Sequence, residues 1–563
     1  MAIVRHAASI IVAMVLLLVG VSASAHASIN IDLSYVNKSS SEYQRFKGFV
    51  DQAVAGDPGY GFSATDAAYM YKLTGREQYG RLAVQMVDAQ VSAAEHAIAS
   101  GNAPAVADDS YLAVGPMLSD LALTYDWCGE LVTTAQKARW KAYADQAISN
   151  VWSPFLAQWG SHWSTKSGWG ANDPGDNYFY SFLQATMYWA LASHDERLMA
   201  YLRDNRLPML ESYFSAVPGG GSREGTSYGA SLRTLFGLYR LWRDATGVDI
   251  ANSNAHLTDT IYYWVHATVP TYDRFAPIGD QPRVSIPELY DYERQLMLEA
   301  RALTKSPAAA SVASWWLHQI SIERMTNGFN DLYDLLPAGN DGTQPDQLVY
   351  HATGVGQLFA RTGWNKHAMW LDFSAGPYEQ SHAHQDQGAF TLFAGDWLAV
   401  TENIWSHSGI QQGTETNNVL RFEQHGRVVR QVAPSVSTMQ VTAGNAAGEV
   451  HATANLTPAY GGDPAVRSWQ RSIDFLNRTL TVHDTFELGA GTKAIFQVNV
   501  PVKPTISGNT ATAGHLVITV ISPADATLSA IDWTSVDQDY RSGWRIDVRG
   551  SGNQFVVQLA STH

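Results

Sequence analysis

The spacing of apolar residues changes once along this chain, and that change constrains the fold more than any other feature. From about Tyr35 to about Val355 apolar side chains recur three and four apart, as in Leu232, Leu235, Leu238 and Trp242, which is the pattern of helices buried on one face. These stretches fall near 40–54, 61–75, 78–98, 110–128, 134–150, 177–193, 195–215, 228–245, 255–267, 286–303 and 308–321. Short Gly, Pro, Asn or Asp segments such as GNAPAVADD and KSGWGANDPGDN separate them, as expected between paired antiparallel helices. So many helices suit a superhelical solenoid or a closed ring of hairpins, and the lack of a short consensus repeat favours the ring. Beyond about residue 355 the period falls to two. HAMWLDFSA, GAFTLFAGDWLAVT, RTLTVHDTFEL, KAIFQVNVPV and QFVVQLAS alternate and are rich in β-branched residues, so they read as antiparallel strands. The expected fold is α+β and multidomain: an N-terminal (α/α) toroid of helical hairpins over 26–355, then an antiparallel β-sandwich domain over 356–563. No low-complexity linker divides the halves, which predicts a large interface between them, a common place for an extended ligand groove.

The opening MAIVRHAASIIVAMVLLLVGVSASAHAS sets Arg5 before an apolar run from about Ala8 to Val21, followed by Ala23-Ser24-Ala25 and Ala25-His26-Ala27. That order reads as a secretory signal peptide over 1–25, because the apolar run is shorter than the roughly 20 residues that cross hydrocarbon. The mature chain is therefore expected to be secreted or periplasmic, without membrane insertion, as a monomer or homodimer. Cys128 is the single cysteine, so disulfides do not hold the fold, and its place in LALTYDWCGEL reads as a buried small hydrophobe. With 37 Lys plus Arg against 52 Asp plus Glu, the formal charge of -15 argues against nucleic acid as a partner, since that needs a broad basic field. A locally positive groove on an acidic protein still accommodates an anionic polysaccharide. The 18 Trp, 26 Tyr and 19 Phe offer many flat faces to sugars, although aromatics also fill large cores.

Three segments carry side chains suited to chemistry. SHAHQDQGAF contains His382, His384 and Asp386, which would share one face if the segment were a strand. Such a trio binds a metal, assists proton transfer, or in a solvated loop does neither. GGGSREGTSYG places Arg223, Glu224 and Tyr228 beside a glycine-rich break, just ahead of a helix. A free phenol has a pKa near 10 and needs help to ionise, so packing with an idle hydroxyl is the competing role for Tyr228. STKSGWGANDPGDNYFY holds Trp169, Asp176, Asn177 and Tyr178; here Asp176 or Asn177 would cap the next helix, which competes with catalysis for Asn177. Arg361 and Trp364 read as braces for the first strand. The PIGDQPR region around Asp280 reads as a loop near the groove with no assigned chemistry.

Helices followed by strands, the LTYDW run at 123–127, GG...EGTSYG and SHAHQDQGAFTLFAGDWLAVTE together resemble the heparinase II/III-like polysaccharide lyases. The likeness covers nearly the whole mature chain in layout, and its specific part is about 50 residues. It implies an incomplete (α/α) toroid followed by antiparallel sheets, with Tyr228 acting at the sugar ring and His382 near the substrate carboxylate. It also implies that His384 and Glu402 hold a structural zinc ion. The family's usual third histidine, in an HN pair, is replaced here by Asn417-Asn418. Either His407 substitutes for it, or a hydrogen-bond network holds the loop without metal. Relatives often carry Asn followed by His where this chain has Asn177-Tyr178, which moves more of the proton handling to Tyr228 and His382.

The activity implied is β-elimination of an acidic, uronate-containing polysaccharide, giving 4,5-unsaturated uronyl ends. Asn177 and His382 would neutralise the carboxylate, Tyr228 would act as base and acid, and Trp169, Tyr178, Arg223 and Glu224 would bind substrate. Few basic clusters are present to meet sulfates, which favours an unsulfated uronan. The alternatives are an inverting glycoside hydrolase on a helical toroid, using two of Glu224, Asp173 and Asp176, and a non-catalytic glycan-binding envelope protein.

Overall fold

The computed structural model describes residues 29–163, 168–281, 287–320, 332–444 and 448–562. The signal-peptide expectation, over 1–25, lies outside the described residues. None of the helices among the described residues is long and apolar enough to cross a membrane.

The described residues of the N-terminal part form twelve α-helices: α1 Ser41–Val54, α2 Ala64–Thr74, α3 Glu77–Ala99, α4 Val114–Trp127, α5 Thr134–Trp152, α6 Asn177–Ser193, α7 Glu196–Tyr201, α8 Leu207–Ser215, α9 Leu232–Thr246, α10 His256–Ala267, α11 Asp291–Leu303 and α12 Pro307–Gln319. Their starts follow from local chemistry. Ser63 and Asp66 form a capping box on α2, Thr133 and Gln136 do the same on α5, and Asp176 accepts the Tyr178 N–H at the head of α6. The helix expected over 195–215 is α7 and α8 joined by a π turn at Leu202–Arg206. The helix expected from residue 110 begins later, because Asp109, Ser110 and Tyr111 all take positive φ, a conformation that ends a right-handed helix. Cys128 is buried at the end of α4. Helices α2, α4, α6, α9 and α11 pack side by side in that order.

Apart from a short hairpin of Gln158–Trp159 with His162–Trp163, the strands run from Val349 onward and form three larger antiparallel sheets among the described residues, where the sequence pointed to a two-sheet sandwich. The difference lies in the first sheet, a five-stranded meander over Val349–Ala352, Gln357–Arg361, Trp370–Ser374, Phe390–Ala394 and Asp396–Ala399. Its inner strands are buried on both faces, so it serves as a layer between the helices and the other sheets. Phe359, Trp370 and Phe393 join the helical core, while their neighbours Leu358, Leu371 and Leu392 join the sheet core. Behind it stand an eight-stranded sheet and a second five-stranded sheet. Strands Val466–Leu476 and Thr479–Leu488 in the larger one bury alternate residues, as the sequence pattern predicts for one covered face.

Arg361 ties the helices to the first sheet. It is fully buried, donates to the carbonyls of His266 and Thr268 at 2.9 and 2.7 Å, and lies 3.9 Å from the Trp364 ring centre. The expected large contact between the two kinds of structure is thus present, and the segments with chemistry converge beside it.

Candidate active site

Three loops from distant parts of the chain meet through two glycines. Gly225 has φ +91, and a Cβ there would lie 2.2 Å from the Ile278 carbonyl oxygen. Gly279 has φ +77, and a Cβ there would lie 2.6 Å from the Glu224 oxygen and 2.8 Å from the His382 oxygen. Only glycine permits such backbone approaches. Two hydrogen bonds then fix the junction: Thr226 N–H to the Ile278 carbonyl at 2.9 Å, and Asp280 N–H to the His382 carbonyl at 3.0 Å.

This junction brings Tyr228 and His382 together. Tyr228 opens the 3-10 turn Tyr228–Ser231 that leads into α9. Its ring lies flat on that of His382, with centres 3.5 Å apart and planes 5° apart. His382 is held from behind: its Nδ1 bonds to Asp280 Oδ2 at 2.9 Å. His384 bonds through Nε2 to the other oxygen, Oδ1, at 2.8 Å. Gln412 Nε2 donates to both oxygens at 3.2 Å and to the Ser381 carbonyl at 2.9 Å. Burial alone would raise the Asp280 pKa, but the hydrogen bonds from His382 and His384 prevail and hold it down to about 2. Asp280 is therefore a fixed negative charge whose geometry sets the direction of the His382 ring.

The phenol of Tyr228 is shifted the other way. Burial, then the carboxylates of Asp280, Glu224 and Asp109, push its pKa above the ordinary 10.0. Below it, Glu224 is fully buried, and burial followed by the field of Asp176 drives its pKa well above the usual carboxylate range.

Asn177 enters through Glu224, whose Oε1 accepts the Asn177 N–H at 3.4 Å. Asp176 performs the capping, so the Asn177 side chain is free of that duty. The Asn177 Oδ1 is buried without a hydrogen-bond partner among the described residues. A buried amide oxygen left unpaired is costly unless a ligand or water completes it. Tyr178 donates its hydroxyl to Asp109 at 2.9 Å, and Trp169, 52% exposed, stands edge-on to the Tyr178 ring. Arg223 is paired with Glu379 and bonds the Gly354 carbonyl at 3.2 Å, so it anchors the loop to the first sheet. Of the carboxylates considered for hydrolysis, Asp173 accepts the Gly175 N–H at 3.0 Å and Asp176 accepts the Tyr178 N–H at 2.8 Å.

One expectation changes. His382, His384 and Asp386 do not lie on a strand; they occupy the loop between Tyr378 and Phe390. There both histidines reach Asp280, while Asp386 lies towards Asp372, whose pKa it helps to raise. The metal ligands that the resemblance implies differ in their surroundings. His384 bonds Asp280 through Nε2, His407 is exposed, and Glu402 lies beneath Gly543 with both carboxylate oxygens buried and without a partner among the described residues. Burial pushes the Glu402 pKa up to about 10. Among the described residues no three His, Cys, Asp or Glu side chains are arranged to hold a metal ion. No step proposed below runs through a metal ion. Around Asn417-Asn418 runs a hydrogen-bond network: Asn418 Nδ2 donates to the Phe390 carbonyl at 2.8 Å, Asn499 N–H donates to Asn418 Oδ1 at 2.7 Å, and Gln497 Nε2 donates to the Asn417 carbonyl at 2.6 Å.

The sequence reading missed Asp280 and Gln412. The glycine before Asp280 marked a tight turn, but the partner histidines are 102 and 104 residues away and nothing local announces the contact.

Across most of its length the chain is structurally homologous to heparinases and other polysaccharide lyases. The heparan sulfate lyase HepC from Pedobacter heparinus superposes with a TM-score of 0.58 at 15% identity, covering 94% of this chain and 85% of that one. A heparinase III matches at 0.59 and 12%, covering 94% and 79%. The chondroitin AC lyase of Streptomyces coelicolor A3, solved in complex with chondroitin sulphate, matches at 0.58 and 11%, covering 94% and 80%. At such identities the likeness is one of fold. No family model matches the sequence, and no curated protein does.

Proposed function

We propose that this protein is a polysaccharide lyase that cleaves a uronate-containing chain by β-elimination, on a helical part organised as an incomplete (α/α) toroid. The observation that carries the reading is the Tyr228–His382 stack, with His382 pinned by Asp280. Proteins of the same fold that bear the names heparan sulfate lyase and chondroitin AC lyase support it.

A uronate C5 proton is weakly acidic because it adjoins a carboxylate that is already ionised. Removing it builds charge on that carboxylate, so donors must wait where the charge develops. With Nδ1 held by Asp280, His382 turns its Nε2 edge to the substrate carboxylate, and the Asn177 side-chain N–H groups donate to that carboxylate. Tyr228, as phenolate, takes the C5 proton. The C5–H electron pair becomes the C4–C5 double bond, the C4–O bond breaks, and the leaving oxygen takes its proton from the Tyr228 hydroxyl. The phenolate is restored and no other reactant is consumed.

The test is a panel of acidic polysaccharides, sulfated and unsulfated, followed by ultraviolet absorbance of the unsaturated ends and by product mass. The expected result is absorbance growing on an unsulfated uronan, with Tyr228→Phe lowering kcat by roughly 10²–10⁴-fold while the circular dichroism is unchanged. New reducing ends without absorbance would indicate hydrolysis. Tight binding with no new ends, unaffected by Tyr228→Phe, would indicate a glycan-binding protein. Full activity in Tyr228→Phe would remove that residue from the mechanism.

A further inference from the structure

A cavity of about 190 Å³ lies among the helices, and it shares no lining residue with Tyr228, His382, Asn177 or Asp280. Its walls come from α2, α4, α6, α9 and α11, the five helices that pack side by side. These helices bury apolar residues elsewhere, yet here they present polar ones.

Two of those polar groups have nothing to bond. Gln295 is only 6% exposed and makes no hydrogen bond with any described residue, and Gln184 across the cavity makes none either. An amide carries two donors and an acceptor, and both of these amides line the cavity, open to whatever fills it. Asp120 lines the same space, with burial raising its pKa, and Tyr69 and Tyr188 add aromatic surface. Glu299 is wholly buried and bonded at both oxygens by Arg240, each at 2.7 Å. A buried ion pair of this kind adds little to stability compared with apolar packing.

Gly237 is a second, independent sign that the space is kept open. It sits in the middle of α9, where glycine is a poor helix former. A Cβ there would meet only Glu299 Oε1, at an ordinary 3.7 Å, so no neighbour forbids a side chain. What a larger residue would do is fill the cavity.

The charges indicate the occupant. Asp66, Asp120 and Glu299 stand against Arg233 and Arg240, with Arg240 spent on Glu299 and Arg233 laid on the Tyr292 ring at 3.8 Å. A uronate would add negative charge to a lining already richer in acids than in bases. An uncharged sugar adds none, and its hydroxyls both accept from amides and donate to carboxylates. We propose that this cavity between the helices is a binding site for a neutral, hydroxyl-rich sugar unit, separate from the site that meets the uronate. The inference does not depend on the lyase reading.

The test uses the full chain, with the methyl glycosides of glucose, galactose and mannose and the matching neutral tetrasaccharides as probes, followed by saturation-transfer NMR and calorimetry. At least one neutral glycoside is expected to bind, methyl glucuronide is not expected to displace it, and Tyr228→Phe should leave the affinity unchanged. Gly237→Leu, which favours the helix and occupies the space, should weaken binding on the order of tenfold or more, about 1.4 kcal/mol. Gln295→Leu, nearly equal in size, should weaken it as well. Tighter binding of a tetrasaccharide assigns the occupant to the end of a polymer, and preference for the single unit assigns it to a free sugar; both uphold the site. A soaked crystal should show the glycoside between α9 and α11. Ordered water alone in that crystal, no binding by any neutral glycoside, affinity unmoved by Gly237→Leu, or loss of binding in Tyr228→Phe would each overturn the proposal. Elimination activity measured in parallel keeps the two readings apart, since either result stands without the other.

Discussion

Tyr228 has two properties that pull against each other. It lies flat on an imidazole, where the proposed reading has it act as a base, and its surroundings make it a weaker acid than a free phenol. The base form is the deprotonated one, and burial and nearby carboxylates raise the pKa that governs it. The phenolate fraction, and with it kcat/KM, should therefore climb through the alkaline range with no plateau below the ordinary phenol value of 10.0. A pH–rate profile on a uronate substrate checks this, and a plateau near neutrality would mean that another group is the base. Asp280 makes a second prediction at this scale. Asp280→Asn keeps the size but offers one oxygen where two histidines now bond, so the His382 ring loses its fixed direction. The expected result is a fall in kcat of roughly two orders of magnitude or more with a smaller change in KM, as for other carboxylates that orient a catalytic imidazole. An equal rise in KM would instead make Asp280 part of substrate binding.

At the scale of elements, the sequence was most legible where the apolar period ran long. Helix α6 begins at Asn177 and ends at Ser193, as its spacing and the aspartate before it predict, and Val466–Leu476 shows the alternation of a strand with one covered face. Legibility failed where the environment, and not the spacing, decides. The π turn within 195–215 breaks no apolar period, and the strands of the first sheet are buried on both faces, so their sequence cannot say what covers each. The site divides in the same way. Tyr228 and His382 lie in glycine-rich, chemically distinctive segments and could be paired in advance, whereas Asp280 is defined only by the fold. Arg471, on Val466–Leu476, is fully buried and grips Asp484 on the neighbouring strand at 2.8 and 2.7 Å. Asp484→Ala would strand a buried guanidinium, and denaturant unfolding should register a loss of about 3–5 kcal/mol. A loss below about 1 kcal/mol would show that water or a carbonyl takes over.

At the scale of the whole molecule, the first sheet belongs to two cores at once. Phe359 and Trp370 face the helices, Leu358 and Leu371 face the other sheets, and Arg361 bonds across to the end of α10. Separating the halves would bare one face of that sheet and leave a buried guanidinium unmet. Differential scanning calorimetry should therefore show one cooperative transition, with loss of Tyr228-dependent activity tracking it. Two resolved transitions would show that the interface is weaker than its packing implies.

The meeting of Tyr228 and His382 also sets an order of events. One ring comes from the helical part and the other from a loop that follows the first strands, about 150 residues later in synthesis. A copy still being made, or one clipped between them, holds half of the pair and none of the chemistry. On the proposed reading, competence would arrive only once the helical part and the first sheet have docked.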